Sequence, residues 1–213
     1  MTHKIIVVGI GPGDPAYLLP KAQKIIENAR ILVGGRRALA DYSHSGAREC
    51  AIGADIPGVL AFIREALAED DVVVMVSGDP GYYSLLDALR RTFPIGQIEV
   101  IPGISSLQLA FARLALPWHN ARLLSFHGRE PHEAELLRTE GAVLGMLTDG
   151  RNNSQTIATR LMAHGWSSDD TMYVCTRLSY ADEQITEMTI GQAADTDGIG
   201  HGVIIVCTHE EKY

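Results

Sequence analysis

Three glycine-bearing turns hold most of the groups able to do chemistry in the first half of the chain. They are Gly9-Ile10-Gly11-Pro12-Gly13-Asp14-Pro15, Ser77-Gly78-Asp79-Pro80-Gly81-Tyr82-Tyr83-Ser84 and Pro102-Gly103-Ile104-Ser105-Ser106. Glycine lets a backbone turn tightly and come close to a ligand. The first turn is a poor nucleotide loop: Asp14 stands where a dinucleotide fingerprint wants a small residue, Pro12 removes an N–H, and no P-loop lysine follows. The second offers a carboxylate and two phenol rings. A carboxylate buried beside a cleft can hold a cation or an ammonium group. The third opens a helix whose first N–H groups are free for polar ligand atoms. The plainer reading makes each turn a helix cap, with Asp14 and Asp79 as Asp-Pro entries. Two Gly-Asp-Pro turns in so short a stretch weigh against that.

The second half offers His127-Gly128-Arg129, a possible proton shuttle and carboxylate clamp or else a solvated turn. Arg36-Arg37, after Gly34-Gly35, poses the same choice. Arg113 either snorkels from its helix or reaches a cleft. The eight histidines show no helical zinc spacing, and Pro131 separates His127 from His132. Cys50, Cys175 and Cys207 form no close pair, so neither a disulfide framework nor a thiolate zinc site is expected. Ser77 and Ser84 lack the Gly-x-Ser-x-Gly turn of a hydrolase.

These groups need a scaffold, and the apolar pattern supplies one. Ile5–Val8, Arg30–Val33, Val72–Val76 and Ile98–Ile101 read as buried parallel strands. Helices are expected over Pro20–Ala29, Pro57–Leu67, Leu85–Phe93 and Ile104–Leu114. This alternation predicts a mainly parallel α/β sheet, with ligands outside the carboxyl ends of its strands. The pattern weakens at Leu116–Asn120, where a domain boundary is placed, giving domains over 1–117 and 121–213. Beyond it come strands at Arg122–Phe126, Ala142–Leu147, Thr171–Thr176, Glu183–Met188 and Val203–Thr208. Helices are expected at Glu133–Arg138 and Asn152–Ala163. Several of these strands have no helix between them, so the second sheet reads as mixed.

The 213 residues are 46% hydrophobic and 21% charged, ordinary for a globular protein, with a net charge of −8. That balance favours no general nucleic-acid binder. The opening apolar run is too short for a secretory core and no stretch is long enough to span a membrane. A cytoplasmic location is the expectation.

Taken together, VGIGPGDP, SGDPGYYS and IPGISSLQLAFARLALPW resemble the tetrapyrrole methylase superfamily, along the whole chain. SSLQLAFARLALPW followed by LLSFHGRE is similar to its CbiE-type branch, the precorrin-6Y or cobalt-precorrin-7 C(5)-methyltransferases. His119-Asn120 stands where that branch would carry an acidic pair. The resemblance implies a two-lobed α/β fold with S-adenosylmethionine, and no metal, in the cleft between the lobes. It implies donor contacts from Pro12, Ser77, Gly78, Asp79, Tyr82, Ser105 and Ser106. Met146, Leu147, Cys175, Thr176, Gly202 and Val203 are implied around the adenosine. Gly11, Gly13, Asp14, Arg36, Arg37 and Arg129 are implied for the carboxylate-rich precorrin. Asp14, Asp79 and His127 are candidates to manage a proton. A homodimer is also implied, and a separate protein completing C(15) methylation and decarboxylation. Two rival readings are another superfamily member, acting at a different precorrin position or as a diphthine synthase, and a non-catalytic tetrapyrrole carrier.

Overall fold

The computed structural model describes residues 3–209. The chain divides into two compact units, Met1–Ser105 and Ser106–Tyr213. The division falls one helix before the boundary read at Leu116–Asn120.

In the first unit, strands β1 (Ile5–Gly9), β2 (Ile31–Gly35), β3 (Arg48–Ile52), β4 (Val72–Val76) and β5 (Ile98–Ile101) form one sheet in the order β3-β2-β4-β1-β5. Every pairing is parallel. Helices α1 (Pro20–Glu27), α2 (Arg36–Tyr42), α3 (Ile56–Ala66) and α4 (Leu86–Thr92) connect them. Alternate strand residues feed two cores. Ile5, Val7, Val33 and Val74 pack with Val59, Ile63 and Leu89, whereas Val8, Leu32 and Met75 pack with Ala22 and Ile26. Burial on both faces is why these strands read as unbroken apolar runs.

In the second unit, α5 (Ser106–Arg113) precedes strands β6 (Arg122–Ser125), β7 (Val143–Leu147), β8 (Thr171–Thr176), β9 (Gln184–Thr189) and β10 (Gly202–Cys207), ordered β6-β7-β10-β8-β9. Only β6 and β7 run parallel; the other pairings are antiparallel, so the sheet is mixed as expected. Helices α6 (Ser154–Ala163) and α7 (Ile190–Ala194) complete the unit. Ile157, Leu161 and Ile190 cover Leu144, Met146, Val174 and Ile204 in its main core. Helix α5 belongs here because it lies close against β7. A Cβ on Gly145 would come within 2.8 Å of the Phe111 ring and 3.1 Å of Leu107.

Three elements escape the sequence pattern. α2 follows β2 without a break, and β3 is an edge strand whose Arg48 and Glu49 are exposed. α7 is only five residues long. The helix expected at Glu133–Arg138 is a single 3-10 turn, Glu133–Leu136, after which Leu137 is extended. The Arg122 guanidinium donates to the Glu135 and Leu137 carbonyls at 2.9 and 2.7 Å. Those carbonyl contacts go to an arginine, not to a following helical turn.

Candidate functional site

The strand order of the first unit brings the three glycine turns together. β1 lies between β4 and β5, so the chain leaves all three strands side by side. The main chains then meet almost without clearance. A Cβ on Gly103 would stand 2.2 Å from the Gly78 carbonyl oxygen, and one on Gly9 would stand 2.6 Å from that atom and 2.7 Å from the Gly103 nitrogen. Gly78, at φ 68, donates its N–H to the Gly11 carbonyl at 2.8 Å.

Asp79 ties this knot. One carboxylate oxygen accepts the Gly81 N–H at 2.8 Å and the other accepts the Gly103 N–H at 3.0 Å. It therefore joins the second turn to the third and does not cap α4, which begins at Leu86. Asp14 does take the cap position, accepting the Ala16 N–H at 2.8 Å before the 3-10 turn Pro15–Tyr17. Ser77 is exposed, while Pro12, Gly13, Tyr82 and Ser105 are half-buried. Tyr82 meets Tyr83 edge-on, 4.6 Å between ring centres, with Tyr83 held at φ 51. A bulky residue in that region is strained, and such strain gathers at functional sites. Arg36 and Arg37 open α2 at the carboxyl end of β2, both exposed, with Arg37 3.4 Å from Asp41.

The second unit gathers its candidates at one sheet end. Leu147 of β7 pairs with Val203 of β10, and Val203 with Cys175 of β8. Gly202 pairs with Thr176, and Ser125 with Leu147, so the segment holding His127 and Arg129 leaves β6 at the same end. Met146, Cys175 and Val203 bury their side chains, so their exchange with a ligand is limited to main-chain atoms. Burial pushes the Cys175 thiol up to about 12, which leaves it inert. Backbone strain collects at this end too: Arg177, Ser179 and His201 have φ of 52, 74 and 57°. Glu183 holds that curve by accepting the Ser179 N–H at 2.7 Å. Arg113 donates to Glu183 at 2.6 Å and holds its carboxyl below the usual range. Arg113 therefore braces a loop in its own unit.

His127 is exposed, with Nδ1 3.3 Å from the Thr148 carbonyl. Its neighbour Gly128 donates to Asp149 at 3.2 Å. Asp149 is absent from the sequence expectations. Thr-Asp-Gly reads as an ordinary turn, and the main partners of Asp149 are main-chain N–H groups, which leave no side-chain motif.

The sequence pattern described as Tetrapyrrole (Corrin/Porphyrin) Methylases matches residues 4–194. A probable cobalt-precorrin-7 C(5)-methyltransferase of Methanocaldococcus jannaschii is 31% identical over 97% of this chain and 97% of its own length. A cobalt-precorrin-7 C(5)-methyltransferase of Salmonella typhimurium is 32% identical over 95% of this chain and 98% of its own. Among solved structures, the precorrin-6Y methylase of Archaeoglobus fulgidus superposes with a TM-score of 0.77 at 26% identity, covering 99% of this chain and 100% of that one.

Proposed function

This chain belongs to the tetrapyrrole (corrin/porphyrin) methylases, and from that premise we propose that it moves a methyl group from S-adenosylmethionine to C(5) of a late precorrin in cobalamin biosynthesis. The observation that carries the reading is the likeness to C(5)-methyltransferases across nearly the whole of both chains. Cobalt-precorrin-7 is the first substrate to test and precorrin-6Y the second.

The residues fit a donor held by main-chain groups. At Gly9 and Gly103 there is no room for a side chain, so bare backbone lines the strand ends beside the exposed Ser77. When bound, S-adenosylmethionine supplies a methyl already activated by the sulfonium, so no protein nucleophile or metal is called for. The protein's task is alignment and exclusion of water. Orientation of this kind is worth about 7–11 kcal/mol of barrier. We assign Pro12, Ser77, Gly78, Asp79, Tyr82, Ser105 and Ser106 to the donor. Met146, Leu147, Cys175, Thr176, Gly202 and Val203 are assigned to it as well, through main-chain atoms at the buried positions. Gly11, Gly13, Asp14, Arg36, Arg37 and Arg129 are assigned to the precorrin and its carboxylates.

A ring methine that gains a methyl must shed its proton. Asp79 accepts the N–H groups of Gly81 and Gly103, and Asp14 accepts that of Ala16. The Nδ1 of His127 faces a carbonyl, which favours a proton on Nδ1 and leaves the Nε2 lone pair to accept another. We therefore place the proton acceptor at His127. His127→Ala should lose about 100-fold in kcat, with partial rescue by added imidazole; full activity in that variant would remove the role.

Methyl-labelled donor incubated with cobalt-precorrin-7 should place the label at C(5), read by NMR of the product. Label at another ring position, or transfer only to other precorrins, overturns the assignment. We also propose a cytoplasmic homodimer and a separate protein for C(15) methylation and decarboxylation, on the strength of the family resemblance. No helix among the described residues is long and apolar enough to cross a membrane. Sedimentation at micromolar concentration should find the dimer, and a monomer there would overturn it.

A further inference from the structure

The strand-end loops of the second unit are joined through one carboxylate that the proposed chemistry does not use. Asp149 follows β7. Its Oδ1 accepts the N–H groups of Arg151 at 2.9 Å and Asn152 at 2.8 Å, and its Oδ2 accepts that of Gly128 at 3.2 Å. Neighbouring bonds run the same way. The Phe126 N–H donates to the Leu147 carbonyl at 2.8 Å, and Asn152 Nδ2 donates to the Phe126 carbonyl at 3.1 Å. With the His127 Nδ1 contact to Thr148, the pairing of β6 and β7 runs three residues past its last ladder pair, Ser125 with Leu147. Asp149 makes the final rung.

A third loop is locked to the same place. Thr148 donates both its N–H and its hydroxyl to the Gly202 carbonyl at 3.1 Å, and the Gly202 N–H returns to the Thr148 hydroxyl at 2.9 Å. A Cβ on Gly200 would stand 2.6 Å from the Asp149 carbonyl oxygen. Loops following β6 and β7 and the loop leading into β10 thus converge on residues 148–149.

We propose that Asp149 is a positioning residue, a latch that fixes His127 and Arg129 toward the ring substrate by holding the amide of Gly128 between them. The proposal rests on the reading of the chain as a C(5)-methyltransferase. The charge matters. A carboxylate accepts at both oxygens, whereas an asparagine amide would set an NH2 group against one of the same N–H donors. Backbone hydrogen bonds, that from Asn152 foremost, hold the Asp149 carboxyl down at about 2. The latch therefore stays charged at any pH where the enzyme works.

Amide exchange and kinetics on the intact chain test this, using the near-isosteric Asp149→Asn. The Gly128 amide should exchange about 5-fold faster or more, while Val174 in β8 keeps its rate. For the tetrapyrrole, kcat/KM should fall about 10-fold, with affinity for S-adenosylhomocysteine held within about twofold. Adding Asp149→Asn to a variant that already carries both His127→Ala and Arg129→Ala should cost nothing further, the non-additivity of residues that act as one unit. Losses that multiply would reduce Asp149 to a structural loop tie, and unchanged exchange at Gly128 would remove the latch altogether. If the wild-type chain methylates no precorrin, the functional reading falls, and Gly128 exchange still decides whether the latch exists.

Discussion

The residues that matter most in the first unit are those with no side chain to offer. Gly103→Ala would drive a Cβ to 2.2 Å from a main-chain oxygen. It should destabilise by about 1–3 kcal/mol in urea denaturation, the range for overpacking, and should abolish binding of S-adenosylhomocysteine by calorimetry. Asp149 gives a second prediction, in pH. Its folded carboxyl titrates at about 2 against an unfolded value near 4, roughly. Between those values the unfolded chain binds more protons, so stability rises with pH. The contribution is whole above about pH 4 and drains away as the pH falls through 2. The gap in urea midpoint between wild type and Asp149→Asn should therefore shrink on acidification, and a gap that stays constant would contradict the assignment. The Asp14 cap and the glycine turns were legible because Asp-Pro is a common helix entry and clustered glycines mark tight turns. The role of Asp149 was not, since its bonds to Arg151 and Asn152 are those of any Asp turn, and the one to Gly128 reaches backbone more than twenty positions earlier, which no local motif encodes.

At the scale of elements, legibility followed burial. β1 and β4 are buried through most of their length, and their apolar runs declare them. β3 lies at an edge with charged residues outward, and α7 is too short to show a period. The turn at Glu133–Leu136 read as a helix because its pattern is helical, but Arg122 takes carbonyls at its end. Gly145, by contrast, has a role no pattern shows: it lets α5 lie on β7. Gly145→Val should destabilise by about 1–3 kcal/mol, because Phe111 and Leu107 are buried and have nowhere to retreat. A denaturation midpoint matching wild type would show that α5 can slide.

For the molecule as a whole, the net charge of −8 sets a polycarboxylate substrate against a repelling background. Local cations must then do the attracting, and such attraction is screened by salt. The KM for the precorrin should rise several-fold, roughly, between 50 and 500 mM salt, and Arg36→Ala with Arg129→Ala should flatten that dependence. Equal salt sensitivity in the variants would place the attraction elsewhere. Much of the fold and the family were legible because the signature turns lie at strand ends that any member must build. The candidate site is less legible, since Met146, Leu147, Cys175, Thr176, Gly202 and Val203 sit at ordinary strand ends with no motif of their own.

The glycine knot has one further consequence, for how this protein can change over generations. The atoms that obstruct a side chain at Gly9 or Gly103 are main-chain atoms of Gly78, Gly103 and Gly9 themselves. Every amino acid carries those atoms, so no neighbour can be exchanged to make room. A genetic selection for suppressors of Gly103→Ala should yield true revertants and no compensating second mutation within the first unit.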